Sequence, residues 1–330
     1  MAGASVTRRL EAALPFWLDR PAEEALEIAD EVRRAELDGL WVGEMATYDA
    51  VALATAIGHR SPGLPLTVGP LAVGVRSPVA LALAVSSVAA LTGGDVTLAL
   101  GASSPAIVSG WHDREWAHSA GRMRETIDCL RALFGGERCD YDGRYVRTHG
   151  FRLRQALPVA RVVVAAFGPA MTRVGARHAD EVVLNLVPAQ HVSAVRATLD
   201  AEARAAGRTP PRLAVWMPVA LDPGEAARRQ LAAQLAVYLA PPGYGELFSE
   251  LGFGDLVEQA RAGARRAELA AAVPIELLDQ VCALGSPERL AERLQAYYDA
   301  GADSVAVVPS TAEDPGGAGA LSAARRFLAG

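Results

Sequence analysis

The chain has 330 residues, 51% of them hydrophobic and 21% charged, with a formal charge of −6; this provides for a large core and excludes a disordered chain. The lack of a basic stripe excludes nucleic acid as the main partner, and no apolar run is both long and charge-free enough to span a bilayer. All 32 basic residues are arginine, and the absence of lysine excludes Schiff-base catalysis and a P-loop.

Along the chain, apolar runs predict strands over residues 14–18, 39–43, 66–69, 96–100, 162–166, 182–186, 213–220 and 304–308, with helical periodicity between them. In residues 22–37, for example, Leu26, Ala29, Val32 and Arg33 separate the buried face from the wet one. Most of the strand runs are apolar without alternation, as in a sheet covered on both faces. The repeat predicts an α/β fold, a closed (β/α)8 TIM barrel, in one domain over residues 1–330; a doubly wound open sheet is the competing arrangement. Two insertions interrupt the repeat: a hairpin around Asp142-Gly143 at about 139–154, and a helical excursion with a Pro-Pro-Gly turn at about 239–283. Residues 78–91, the longest apolar run, read as a buried helix.

Barrel chemistry collects at the C-terminal ends of the strands. There Glu44 follows an apolar run, where partial burial suits a general acid; capping the next helix or pairing with an arginine is the equal alternative. Pro70, in Gly69-Pro70-Leu71, marks a bulge or a strand end because it forfeits a ladder hydrogen bond. The small loop Gly101-Ala102-Ser103 suits a phosphate or a closely approaching ring, and equally an ordinary turn. His112 is a second candidate proton donor, or a surface histidine. The junction Ala165-Ala166-Phe167-Gly168-Pro169 turns a strand into a helix. Pro169 fits the first helical turn, where free N–H groups favour anions.

The other histidines (His59, His118, His149, His178, His191) and the three cysteines (Cys129, Cys139, Cys282) show no metal-ligand spacing, so no metal site is expected. Unpaired cysteines and the absence of a leader-like N-terminus predict a reducing, cytoplasmic setting.

Several segments in a fixed order carry a family resemblance: LDGLWVGE (37–44), VRSP (75–78), LALGASSPAIVSGW (98–111), RMRETIDCLRALFGGERCDYDGRYV (122–146), VAAFGPAMTRVGARHADEVVLNLV (164–187) and LGSPERLAERLQAYYDAGADSVAVVP (284–309). Together they resemble the luciferase-like monooxygenase superfamily, in its actinobacterial branch of oxidoreductases that use the deazaflavin coenzyme F420. The resemblance implies a barrel that is usually dimeric, with a flavin-like ring lying across the strand ends. It implies a cis peptide at Gly69-Pro70, forming a bulge behind the ring. Gly69, Pro70, Leu71, Gly101, Ala102 and Ser103 would border the ring, Ala165, Ala166, Phe167, Gly168 and Pro169 the phosphate side, and Asn185, Leu186 and Val187 the neighbouring wall. Many relatives carry histidine after the acidic residue of the second strand, whereas Glu44 is followed here by Met45. Glu44 and then His112 are the expected substitutes, and Trp17, Met45, Trp111 and Trp116 the expected substrate contacts.

The expected activity is hydride transfer from reduced coenzyme F420 to an activated C=C, of enone or dehydroamino acid type, or to a C=N of a small molecule or peptide. An FMN-dependent monooxygenase on the same barrel and a non-catalytic flavin-binding or dimerising homologue are the alternatives. A homodimer with no membrane partner is expected.

Overall fold

The computed structural model of the chain describes residues 8–16, 19–44, 46–157 and 160–329. Its strands are β1 (Arg9–Ala13), β2 (Leu40–Val42), β3 (Leu66–Ala72), β4 (Val96–Gly101), β5 (Arg138–Asp142), β6 (Arg147–Arg152), β7 (Val162–Ala165), β8 (Glu181–Asn185), β9 (Arg212–Leu221), β10 (Ala283–Gly285) and β11 (Ser304–Pro309). β5 and β6 form the predicted hairpin. The others make one sheet in the order β10-β9-β11-β1-β2-β3-β4-β7-β8, and β8 pairs back with β9. This is the (β/α)8 barrel expected from the sequence, with helices between its parallel strands. The short β10 was not expected; it adds to β9 where Ala283 lies opposite Val219.

The first strand is misplaced by the sequence pattern, for β1 is Arg9–Ala13 and not residues 14–18. The carboxylate of Glu11 disguises it. Glu11 is buried, 2.8 Å from Arg9 and accepting from the Ser304 hydroxyl at 2.8 Å. A buried charge in a strand is tolerable when paired and hydrogen-bonded in this way.

The chain divides into two compact units. One comprises Met1–Leu40, Leu184–Ala197 and Arg212–Gly330. Its centre is β11, which pairs with β1 on one side and β9 on the other, and Leu10, Ala12, Val215, Met217, Val305 and Val307 are fully buried there. The helical excursion belongs to this unit and holds short helices at Tyr244–Phe248, Gly254–Arg261, Arg266–Ala272 and Ile275–Val281.

The other unit comprises Trp41–Val183 and Thr198–Pro211. It is built on β3, β4 and β7 in parallel register. The helix Pro78–Thr92 was expected to be buried, but Leu83 and Leu91 lie on an exposed face. An apolar run without period shows where a helix forms, not how many of its faces are covered.

One device recurs in both units. Asp38, Asp180 and Asp303 each sit just before a strand and accept from an N–H group in the first two residues of a neighbouring one: Leu10 at 2.7 Å, Val162 at 2.8 Å and Leu213 at 2.8 Å. Each aspartate thus pins a strand start at the N-terminal end of the sheet, the end associated with stability.

The hairpin is tied down by a buried carboxylate. Glu125, on the helix Ser119–Phe134, accepts from the N–H groups of Arg144 (3.2 Å), Tyr145 (2.7 Å) and Val146 (2.9 Å). Burial pushes its pKa up, but these donors outweigh burial and hold it below the usual range. A depressed carboxylate stabilises above its unfolded value and loses that contribution as pH falls through the folded one. Glu125→Gln should therefore cost about 2 kcal/mol at neutral pH. The difference from wild type should begin to shrink below about 4.3 and vanish only once pH has fallen past the depressed folded value, which paired urea titrations across that range would measure. A pH-independent difference would contradict the linkage.

Candidate active site

The ends of β3, β4 and β7 lie side by side and carry almost no side-chain bulk. In β3 the register slips between Val68 and Leu71, and the Gly69–Pro70 peptide within that bulge is cis, as expected. Gly69 has φ +119°, and a Cβ there would overlap the Ala99 carbonyl oxygen. Gly101, the last residue of β4, lies so close to its neighbours that a Cβ would stand 3.2 Å from that of Pro70 and 3.9 Å from that of Ala165. Pro70, Gly101 and Ala165 thus form a thin shelf across three strand ends. The side chains of Leu71 and Ala166 are buried.

The loop after β4 is held by an indole. Trp116 donates its N–H to the carbonyls of Ala102 (3.1 Å) and Ser103 (3.3 Å). Ser103 itself is left-handed, φ 59°, a conformation that costs a non-glycine residue of order 1 kcal/mol or more and needs such support. Trp116 therefore positions this loop. His112 and Trp111 are both exposed at the end of a π-type turn, Ala106–Trp111. After β7, Gly168 takes φ +75° and opens the helix Gly168–His178, whose first turn contains Pro169 and which has no side-chain cap from Phe167.

Glu44 is committed to Arg76. The guanidinium donates to both carboxylate oxygens at 2.6 Å, and the Ala50 N–H reaches one of them at 3.5 Å. Arg76 also meets Asp49 at 3.1 Å, and its hydrogen bonds to Glu44 raise its pKa further. Burial pushes the Asp49 carboxyl up, but the N–H groups of Ala52 and Val51, with Arg76, hold it below the usual range. The pairing alternative for Glu44 is the one observed. Arg76 and Asp49 were missed by the sequence reading, although VRSP had been noted and Asp49 stands at a helix N-cap.

In the other unit, β8 ends at Asn185, one residue before the strand predicted from sequence. Leu186 then takes φ 53°, and both Leu186 and Val187 have buried side chains. The Val187 carbonyl accepts from the Tyr297 hydroxyl at 2.7 Å. Asn185 alone of the three keeps a part-exposed side chain, and its amide donates to the Tyr244 hydroxyl at 3.1 Å. Beyond β11, the buried Gln230 carbonyl accepts from the Ser310 hydroxyl (2.8 Å) and from the N–H groups of Thr311 (2.9 Å) and Ala312 (3.2 Å). Trp17 and Met45 lie outside the described residues. Among the described residues no group of His, Cys, Asp or Glu is placed to hold a metal ion.

Residues 6–304 match the family model of the luciferase-like monooxygenases. The chain belongs to that family. A relative assigned as a coenzyme F420-dependent oxidoreductase of Mycobacterium tuberculosis is 22% identical, over 92% of this chain and 96% of its own. The F420-dependent tetrahydromethanopterin reductase of Methanopyrus kandleri shares the fold with TM-score 0.78 at 16% identity, over 97% and 98% of the two chains. The oxygenating constituent of 3,6-diketocamphane monooxygenase from Pseudomonas putida, solved with FMN, superposes with TM-score 0.70 at 18% identity, over 98% of each chain.

Proposed function

We propose that this chain is a coenzyme F420-dependent reductase acting on an activated C=C or C=N of a small molecule or peptide. The observation that carries this reading is the shelf. A Cβ added at Gly101 would crowd the Pro70 Cβ at 3.2 Å and touch the Ala165 Cβ at 3.9 Å, and a planar tricyclic ring lying across these ends needs that clearance. When bound, the reduced deazaflavin supplies a hydride from C5. The chain's own part is to support the ring on Pro70 and Gly101, to offer the N–H groups of the helix Gly168–His178 to the phosphate, and to hold the acceptor against the ring without water.

Glu44 serves here as the counter-ion that orients Arg76, since both its oxygens already accept from the guanidinium. His112 is the remaining proton-donor candidate near the β4 loop. Glu44→Gln should accordingly leave single-turnover hydride transfer within about threefold of wild type, whereas loss of a general acid costs about 100-fold or more. Stopped-flow oxidation of the reduced cofactor distinguishes the two; a fall of about tenfold or more would restore the acid role.

The second reading, an FMN-dependent monooxygenase, is favoured by the likeness to the FMN-bound neighbour. Equilibrium titration with oxidised coenzyme F420 and with FMN separates them. The deazaflavin is expected to bind at least about tenfold tighter, a difference of about 1.4 kcal/mol. Tighter FMN binding would favour the monooxygenase, and binding of neither would remove both.

A homodimer fits the outer face of the same unit. The helices Ala50–Arg60 and Pro78–Thr92 contact each other, and residues 50–58 and 78–92 contain no charged side chain. Ala52, Ala56, Leu83, Ala90 and Leu91 are exposed there. Uncharged apolar patches of this kind mark association surfaces, and the mass in solution reads the outcome directly. No helix among the described residues is long and apolar enough to cross a membrane. The buried free thiols of Cys129, Cys139 and Cys282 agree with a reducing cytoplasm.

A further inference from the structure

The hairpin of β5 and β6 reaches back to the loop that follows β4. The Tyr145 ring stacks on that of His118, with centroids 5.1 Å apart and planes inclined by 25°. The backbone of Tyr145 is fixed independently of the ring: its N–H donates to Glu125 at 2.7 Å, and its carbonyl accepts from Arg122 at 3.2 Å. Two residues before His118, Trp116 holds the carbonyls of Ala102 and Ser103, next to Gly101. The hairpin is thereby joined to the edge of the shelf, entirely within one compact unit.

Two local preferences are overridden where this contact forms. His118 stands at the N-cap of the helix Ser119–Phe134, a position that favours Ser, Thr, Asp or Asn. It makes no side-chain cap, takes φ 53° and stacks on Tyr145 instead. Gly121 lies in the first turn of the same helix, where alanine would favour the helical state, but a Cβ there would overlap the Tyr145 ring. Departures from local preference collect where a site requires them, and both of these serve one aromatic ring.

We propose that Tyr145 is a positioning residue for the loop 102–118, acting through His118, with Gly121 leaving room for its ring. The inference rests on the reductase reading for what the loop serves, since this loop borders the shelf and carries Trp111 and His112. The hairpin is then more than an insertion between a helix and β7: it braces the β4 side of the cofactor surface. Stacking needs the ring and not the hydroxyl, so phenylalanine should brace the loop as well as tyrosine, whereas leucine fills space without stacking.

Hydrogen exchange reads the brace without any ligand. The reporters are the amides of Val108 and Arg114, bonded within the loop to the Ser104 and Val108 carbonyls at 2.9 and 3.0 Å. They should exchange about fivefold faster in Tyr145→Leu and stay within about twofold of wild type in Tyr145→Phe. Gly121→Ala should resemble Tyr145→Leu even though it favours the helix. His118→Asn, which keeps the left-handed conformation accessible, should do the same, and joining it to Tyr145→Leu should add little, as for two residues that act through one contact. Faster exchange confined to the hairpin, an equal loss in Tyr145→Phe, or an undisturbed loop in Gly121→Ala overturns the proposal. If Tyr145→Leu does not fold, Gly121→Ala and His118→Asn carry the comparison with Tyr145→Phe. Titration of oxidised coenzyme F420 into the same proteins tests the underlying reading separately. Binding about fivefold weaker is expected wherever the loop is loosened, and unchanged affinity there would also overturn the proposal. Binding by none of the proteins, wild type included, with the exchange pattern as expected, upholds the brace and removes the cofactor.

Discussion

Replacing Gly101 with leucine is expected to weaken binding of oxidised coenzyme F420 by about 100-fold, about 2.8 kcal/mol, with little change in the fold. The reason is space. Gly101 is not among the residues with a left-handed φ, so a side chain there meets no backbone penalty. It meets the shelf instead, since the first added atom would lie 3.2 Å from the Pro70 Cβ. Alanine requires a shift of only a few tenths of an ångström and should cost about threefold, whereas leucine projects where the ring would lie. A fluorescence titration of the three proteins gives the series directly. Equal affinities would mean that the ring does not rest on this surface, and the cofactor assignment would lose its main support.

Gly69→Ala is expected to act on the whole protein, lowering stability by about 3–5 kcal/mol. Here conformation and contact act together. The backbone sits at φ +119°, and the new Cβ would overlap the Ala99 carbonyl while standing 2.7 Å from the Leu71 nitrogen. The carbonyl belongs to β4, so relief requires separating β3 from β4 where the shelf is built. Denaturant unfolding should show a lower midpoint with an unchanged slope. A loss below about 1 kcal/mol would show that the bulge relaxes, and that its glycine serves the site alone.

The contrast between these two glycines shows what was legible in the sequence. The parallel strands were readable because runs such as Val162-Val163-Val164 are apolar on both faces, and the β3 bulge because proline interrupts a strand. The hairpin was readable from Asp142-Gly143. The first strand was not, because its Glu11 is neutralised by Arg9 and by Ser304, almost three hundred residues away. Glu44 was identified as a polar residue at a strand end, but its chemistry depends on Arg76, which another strand and turn deliver. The tyrosines near Asn185 escaped notice for the same reason: Tyr238 ends the helix Glu225–Tyr238 and Tyr244 lies in the excursion, and neither stands in a motif. Periodicity predicts elements, and it is silent about polar partners that only the fold brings together.

The glutamine beyond β11 sets a limit on ligand charge. In many barrels the loops after the last two strands provide N–H groups to a phosphate. Here Ser310, Thr311 and Ala312 already donate to Gln230. An arriving phosphate would meet an amide oxygen, another acceptor, and would have to displace it from three donors at once. This corner of the barrel is thus closed to anions by one neutral side chain, and a phosphorylated ligand must find its counter-charge elsewhere.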